Sequence, residues 1–212
     1  YLRAQIHPTI DRSLVHQRAL PASSIRPSNC TTSRQPSSAK LWGTPVDMDP
    51  VAVAHSQAIL QGNAQTAIIQ ADACDPEQVL RHPDVQRLLD VGKPVGLLLV
   101  AMLHFVTTDE QAYDLTRRLL AAMPSGSYLA LSHATTEGAP AELCNRLEQL
   151  YRGTTDPVVL RPHAAVERFF DGLLLVEPGV VYTPLWHPEG PDDLLLEQPA
   201  LSMGLAGVAR KP

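Results

Sequence analysis

Two aspartates, Asp47 and Asp72, directly follow short apolar runs that are typical of β-strands, at residues 44–46 and 67–71. In an open α/β sheet, ligands bind outside the carboxyl ends of the strands, so both carboxylates are expected to face one crevice. An ionised carboxylate only accepts hydrogen bonds. Asp47 would therefore suit the two hydroxyls of a ribose, and Asp72 would suit the exocyclic amine of an adenine. The two acids together predict a site for an adenosine-containing ligand.

Each aspartate also has a simpler interpretation. Asp47 could be an acid that is favoured by the positive end of a helix dipole, although Asp49 already occupies the capping position before Pro50. Asp72 could be a solvated loop acid, because Asp75 is the better cap for the helix that follows. We favour the ligand role for Asp47 and leave both interpretations of Asp72 open.

Strand-like and helix-like segments alternate from residue 46 onward. Two helices start with an aspartate followed by a proline, at Asp49-Pro50 and Asp75-Pro76, which is a common N-terminal signal. Beyond these, the pattern predicts helices over residues 83–90, 109–122, 139–151 and 162–170, and strands over residues 66–71, 95–102, 127–132, 173–176, 180–184 and 202–209. Strands that alternate with helices predict an α/β fold with a mainly parallel sheet. The last two strands have no helix between them, which predicts an antiparallel hairpin at one edge.

The first 45 residues differ from the rest of the chain. Residues 23–38 are rich in serine, threonine and proline, and they show no periodicity. Such a stretch has little apolar surface to offset an ordering cost of about 1–2 kcal/mol per residue. We therefore predict an atypical, poorly ordered segment over residues 1–45 and one α/β domain over residues 46–212. Since the sequence begins with Tyr1 rather than methionine and shows no signal peptide, we expect it to be a fragment.

The composition argues against several classes of partner. The chain has 212 residues and a formal net charge of −5, which gives no basic surface for nucleic acid or an anionic membrane. The apolar run over residues 95–103 is too short to span a bilayer. Cys30, Cys74 and Cys144 form neither a zinc pattern nor a disulfide framework, and the histidines lack metal-ligand spacing. We therefore expect no metal site and a cytoplasmic location.

Several motifs occur in a characteristic order along the chain. They are Val46-Asp47-Met48-Asp49-Pro50, Gln70-Ala71-Asp72, the segment from Leu99 to Phe105, Pro124-Ser125-Gly126, and Phe169-Phe170-Asp171-Gly172 followed by Glu177-Pro178-Gly179. In this order they resemble the class I S-adenosylmethionine-dependent methyltransferases, and more narrowly an actinobacterial family whose substrates are largely unassigned. The resemblance extends over roughly residues 46–212. It implies a Rossmann-like fold, S-adenosylmethionine as the cofactor, and methyl transfer to a small molecule.

The resemblance also implies roles for individual residues on the cofactor side. Asp47 would hold the ribose hydroxyls, and Met48 would pack on the adenine. Asp72 together with Ala73 would recognise the edge of the adenine.

Two histidines are candidates on the substrate side. His104 follows the fourth predicted strand, near the position of the transferred methyl group in these folds. A histidine there could orient a nucleophile or accept its proton, or it could only hydrogen-bond its loop. His133, at the end of the fifth predicted strand, has the same two interpretations.

One motif of the family is missing. The family's first strand runs into an acid-x-Gly-x-Gly-Leu-Pro loop, whose glycines let the backbone approach the methionine part of the cofactor. Aligning this loop on Leu20-Pro21 places Val15 at the acid and Gln17 and Ala19 at the glycines, and no glycine precedes Gly43. We therefore expect the chain to bind S-adenosylmethionine weakly or not at all. Two alternatives follow: a non-catalytic pseudo-methyltransferase or damaged product without cofactor, and, with less support, an NAD-dependent oxidoreductase.

Overall fold

The computed structural model describes residues 4–7, 43–89, 92–151, 157–188, 190–191 and 193–212, with residues 4–7 described by their backbone alone. Within these ranges, eight strands form one sheet in the order β3-β2-β1-β4-β5-β8-β6, and β7 also pairs with β8. The strands are β1 (Ala4–His7), β2 (Thr44–Asp47), β3 (Ile69–Gln70), β4 (Gly96–Val100), β5 (Tyr128–Ala134), β6 (Leu174–Leu175), β7 (Val181–Tyr182) and β8 (Gly204–Arg210). The helices are α1 (Pro50–Ile59), α2 (Pro76–Arg81), α3 (Pro83–Leu88), α4 (Asp109–Ala121), α5 (Ala141–Tyr151) and α6 (His163–Glu167).

The predicted α/β fold is confirmed. β2 and β3 run parallel, as do β4 and β5, and helices lie between these strands along the chain. β8 runs antiparallel to β5, β6 and β7, as expected for the end of the chain. One detail differs from the prediction, because β8 lies inside the sheet rather than at an edge. All seven residues of β8 pair with β5, and its other side pairs with β6 and β7.

The interior strand β1 runs opposite to both of its neighbours, β2 and β4. Ala4 pairs with Val46 of β2, and Gln5 pairs with Leu98 of β4, both in antiparallel register. Because β2 and β4 each run antiparallel to β1, they run parallel to one another. The chain therefore leaves β1 after His7 at the amino ends of the parallel strands.

This strand belongs to the N-terminal segment, residues 1–45, for which the sequence predicts poor order. The remaining predictions for that segment lie outside the described residues. They concern the stretch 23–38 and the three positions aligned with the glycine-rich loop, Val15, Gln17 and Ala19.

Two predicted helix starts are confirmed by their capping bonds. Asp49 Oδ1 accepts a hydrogen bond from the backbone N–H of Val51 at 2.8 Å, at the start of α1. Asp75 Oδ1 accepts one from the backbone N–H of Gln78 at 3.1 Å, at the start of α2. Each cap satisfies a donor that the helix itself leaves unpaired, and the proline that follows has no N–H to satisfy.

The main core lies between the sheet and the helix that follows β4. Its buried members include Leu97, Leu99, Leu129 and Leu131 of the strands and Ala112, Leu115 and Leu119 of α4. Burying one leucine of this kind contributes about 1.5–3 kcal/mol. The core thereby fixes the ends of β4 and β5, and with them the loops that start there. No helix among the described residues has the length and apolar content needed to cross a membrane.

Candidate functional site

The loops that carry the predicted site residues start at one edge of the sheet. Asp47 lies opposite Gln70 at the ends of the parallel strands β2 and β3. Val100 ends β4, which runs in the same direction as β2. β8 reaches this edge with its amino end, because Gly204 pairs with Ala134 at the end of β5. Cofactor-side and substrate-side candidates therefore lie at the same edge of the sheet.

Asp47 is almost fully buried, with 2 % of its surface exposed. Its Oδ1 accepts a hydrogen bond from the backbone N–H of Asp49 at 3.0 Å, which orients the carboxylate at the start of α1. The neighbouring Met48 is 54 % exposed. The backbone oxygen of Asp47 accepts a bond from the N–H of Ala71 at 3.1 Å and so holds the end of β3 beside it. An oriented acid and an exposed apolar side chain thus lie side by side at this strand end.

The loop after β3 is held by two bonds to Asp72. The Asp72 backbone N–H donates to Gln78 Oε1 at 3.1 Å, and Asp72 Oδ1 accepts from the backbone N–H of Cys74 at 2.8 Å. Asp72 itself is exposed, whereas Ala73 is 2 % exposed. These bonds fix the loop conformation and leave the Asp72 side chain exposed at this edge of the sheet.

His104 lies in a single 3-10 turn, Leu103–Phe105, just beyond β4. Its ring packs against that of Phe105, with 4.4 Å between the centroids. Its Nδ1 is buried and has no hydrogen-bond partner among the described residues. Burial, and then the nearby His133 and Arg161, lower the pKa of His104 to about 3. The imidazole is therefore neutral at neutral pH.

The backbone is strained immediately before this turn. Ala101 has a φ of +53°, in the left-handed region that non-glycine residues rarely adopt. Its N–H donates to Ser132 Oγ at 3.0 Å, and this bond to β5 helps to hold the conformation. The left-handed conformation of Ala101 turns the chain at the end of β4, shortly before His104.

His133 is buried, with 2 % of its surface exposed. Its Nδ1–H donates to the backbone oxygen of Ala134 at 2.8 Å, and its Nε2 accepts from Arg161 Nη1 at 2.8 Å. These partners require the neutral imidazole with the proton on Nδ1. Burial lowers the pKa of His133 to about 4, with Arg161 acting in the same direction. Its ring meets that of His104 edge to face, at 5.7 Å between the centroids.

Arg161 is hydrogen-bonded both to the turn that carries His104 and to the side chain of His133, and only 2 % of its surface is exposed. Besides His133, its guanidinium donates to Asp109 Oδ1 at 2.8 Å and to the backbone oxygens of Leu103 at 2.9 Å and Val106 at 3.0 Å. The charge is therefore buried with one carboxylate and three neutral acceptors. Such a group is costly to remove, because its acceptors would then be left unpaired.

Residues 47–48 and 72–73 thus form one group at neighbouring strand ends. His104, just after β4, and His133, which lies within β5 near its end rather than after the strand as predicted, form a second group. Sequence reasoning missed Arg161. The only local signal is an arginine directly after the apolar run over residues 158–160, which is an unusual setting for a charge. Among the described residues, no three His, Cys, Asp or Glu side chains are arranged to hold a metal ion.

Solved structures of similar sequence share this fold. A DUF574 family protein from Streptomyces avermitilis is 40 % identical, superposes with a TM-score of 0.71, and is matched over 79 % of this chain and 64 % of that one. A candidate methyltransferase from Thermobifida fusca is 37 % identical, superposes with a TM-score of 0.70, and is matched over 78 % of this chain and 61 % of that one. The present chain therefore spans less than two thirds of the length of either relative. No curated protein matches it.

A family described as S-adenosyl methyltransferase matches residues 33–212, which is most of the chain. The match confirms the resemblance drawn from the sequence motifs, the Rossmann-like α/β fold and S-adenosylmethionine as the cofactor of the family. The chain belongs to the S-adenosyl methyltransferase family.

Proposed function

We propose that this chain binds S-adenosylmethionine through Asp47, Met48, Asp72 and Ala73 and transfers its methyl group to a small molecule bound beside His104. The observation that carries the proposal is the buried, oriented carboxylate of Asp47 at the carboxyl end of β2. Its position suits a vicinal diol, and membership in the family supports the choice of cofactor.

The chain's own residues hold the adenosine half of the cofactor. Asp47 accepts hydrogen bonds from the ribose hydroxyls, and bonds to a carboxylate are stronger than those to a neutral acceptor. Met48 covers a face of the adenine with its exposed thioether. Asp72 accepts from the exocyclic amine, and Ala73 lines the edge of the ring. When bound, the cofactor supplies an electrophilic methyl group on a positively charged sulfur.

His104 orients the methyl acceptor. Because its pKa is about 3, it is neutral at physiological pH and is a weak proton acceptor. A neutral imidazole can still accept a hydrogen bond from a hydroxyl or amine and direct the lone pair of that group. Direct displacement at a methyl carbon depends more on such alignment than on acid–base catalysis. Both ring nitrogens of His133 are already hydrogen-bonded. His133 therefore supports His104 through the contact between their rings.

The methionine half of the cofactor is the weaker part of the fit. In the family, the first strand leads directly into the glycine-rich loop at the carboxyl edge of the sheet. Here β1 runs in the opposite direction, and the chain leaves it at the other edge. We therefore expect low affinity, in agreement with the absence of a glycine before Gly43.

The composition of the chain favours a small acceptor over nucleic acid. The net charge of −5 does not favour a polyanion such as nucleic acid, and the cysteine usage suits a cytoplasmic protein. The oxidoreductase alternative shares the ribose-binding acid, so binding data must separate the two. The pseudo-methyltransferase alternative would show no binding of either cofactor.

An NMR titration of the ¹⁵N-labelled chain with S-adenosylhomocysteine, with NADH as the control, tests the proposal. We expect saturable shifts of the Met48 and Ala73 amides with S-adenosylhomocysteine, and none with NADH. Tighter binding of NADH at the same amides would favour the oxidoreductase. No response to either ligand at millimolar concentration would contradict the proposal and favour the non-catalytic alternative.

A further inference from the structure

The segment that leads into α6 is hydrogen-bonded to the turn after β4 and to the last residue of β5. The backbone N–H of Val159 donates to the backbone oxygen of His104 at 2.7 Å, and the backbone N–H of Arg161 donates to that of Ala134 at 3.3 Å. The Arg161 side chain adds the bonds to the carbonyls of Leu103 and Val106. The turn that carries His104 is therefore held at its first residue, at its middle and just beyond its end.

This pattern differs from that of an ordinary buried ion pair. Among the described residues, the carboxylate that pairs with Arg161 is that of Asp109, whose side chain is 56 % exposed, so the ion pair is partly solvated. The other acceptors are two turn carbonyls and the Nε2 of His133, all buried with the guanidinium. The planar guanidinium can satisfy such divergent acceptors at once, which a lysine ammonium cannot do.

The aromatic surroundings restrict the guanidinium further. Its carbon lies 5.8 Å from the centroid of Phe169, and the Phe169 ring stacks on His133 at 5.9 Å between centroids. Arg161 and the turn that it holds therefore have few alternative positions.

We propose that Arg161 is a positioning residue that, together with His133, fixes the Leu103–Phe105 turn and so presents His104 to the methyl acceptor. This inference rests on the proposed function, because the orientation of His104 matters for catalysis only if a methyl group is transferred here. Arg161 itself does not contact cofactor or substrate. Its removal should loosen the turn while leaving the adenosine side of the site intact.

Amide hydrogen exchange measured by NMR on the full chain tests this. The Phe105 and Val106 amides close the turn through bonds to Met102 and Leu103, so their exchange reports its local opening. Core amides of β4 and β5 exchange by wider unfolding. In Arg161→Lys and Arg161→Met we expect the turn amides to accelerate about tenfold more than the core amides do. Arg117→Met, which removes an exposed arginine on α4, is the matched control and should leave the turn amides unchanged.

A purely structural role gives a different result. Equal acceleration of turn and core amides, or acceleration of the core alone, would overturn the proposal. If both Arg161 variants fail to fold, Asp109→Ala, at a largely exposed side chain, carries the test with the same criterion.

A second readout separates this inference from the proposed function. S-adenosylhomocysteine affinity should stay within about twofold of wild type in Arg161→Lys, because the adenosine residues lie across β1 from the turn. A large loss of affinity would contradict a role confined to the His104 turn. The exchange experiment needs no ligand, so a chain that binds no cofactor would disprove the proposed function while leaving the exchange result interpretable.

Discussion

Asp47 and Asp49 lie two positions apart and have different roles because their surroundings differ. Asp47 is buried at a strand end with its carboxylate oriented by a backbone N–H, whereas Asp49 is partly exposed and caps α1. His104 and His133 also differ in their surroundings. His133 has both ring nitrogens hydrogen-bonded, whereas the buried Nδ1 of His104 has no hydrogen-bond partner among the described residues.

Replacing Asp47 by alanine should weaken binding of S-adenosylhomocysteine by about 1–3 kcal/mol, as expected for lost charge-assisted hydrogen bonds. The melting temperature should change little. Glu142→Ala, at an exposed acid of α5, is the control and should leave affinity unchanged. Unchanged affinity of Asp47→Ala combined with a lower melting temperature would make Asp47 a structural acid.

The left-handed conformation of Ala101 leads to a second prediction. A β-branched side chain at a φ of +53° is strained, so Ala101→Val should lower the free energy of unfolding by about 1–3 kcal/mol. Ala101→Gly removes the strain and should be neutral or slightly stabilising. Urea denaturation measures both, with Ala141→Val at an exposed site as the control. Equal effects of the valine substitutions at 101 and 141 would mean that the turn stores no strain.

At the scale of elements, the site depends on short connections whose ends are fixed by local bonds. The cap at Asp49 starts α1 directly after the Asp47 strand end, and the bonds of Asp72 fix the loop after β3. The turn after β4 lacks such a local cap: its 3-10 helix has no side-chain capping bond. It is instead held by Arg161, which comes from a distant part of the chain.

The cap of α1 can be tested directly. Asp49→Ala removes the acceptor for the Val51 N–H and should lower the free energy of unfolding by about 0.5–2 kcal/mol. Asp49→Ser keeps an acceptor and should recover most of this loss. Equal destabilisation by alanine and serine in urea denaturation would show that the bond to Val51 does not stabilise the helix.

At the scale of the whole molecule, the sheet is mixed, and its interior strand β1 is reversed relative to both neighbours. The direction of β1 decides where the following chain emerges, and hence whether it can reach the cofactor crevice directly. His104 and His133 both pack within the folded domain, so their protonation is linked to the stability of the fold.

Stability should fall as the pH is lowered from about 7 toward 4. The ordinary histidine pKa is 6.5, whereas that of His104 is about 3 and that of His133 about 4. Below pH 6.5 the unfolded chain therefore binds protons that the folded chain does not, and this favours unfolding by at most about 1.4 kcal/mol per pH unit for each histidine. Above about pH 7.5, a full unit above the ordinary histidine pKa, both residues are neutral in both states and add almost no pH dependence.

Urea denaturation at pH 7, 6 and 5 measures this dependence. In the double variant His104→Gln/His133→Gln, the decline between pH 6 and 5 should be shallower than in wild type. The same decline in both proteins would mean that these histidines are not held neutral by the fold.

The last prediction concerns the missing glycine-rich loop. Val15→Asp with Gln17→Gly and Ala19→Gly would restore an acid for the methionine ammonium and close backbone donors for its carboxylate. Each charged contact is worth roughly 1.5–3 kcal/mol, so S-adenosylmethionine should bind about two to four powers of ten more tightly if residues 15–21 occupy the family's first strand and loop. Calorimetry on the two proteins measures the difference. Tight binding by the unmodified chain, or no gain in the triple variant, would contradict the alignment of this loop.

The amino-acid sequence alone determined the features that depend on neighbouring residues. The caps at Asp49 and Asp75, the apolar strand of β4 and the strand-end acid Asp47 are local patterns, since the interacting groups lie within a few positions of one another. The ordered motifs were enough to predict the family and the position of most elements.

Only the tertiary structure decided the features that depend on distant contacts. The Arg161 side chain bonds to Leu103, His133 and Asp109, which are 58, 28 and 52 positions away along the chain. The direction of β1 likewise depends on pairing with two strands far along the sequence. Local pattern carries no information about such contacts, because their free energy comes from groups that meet only when the whole sheet has formed.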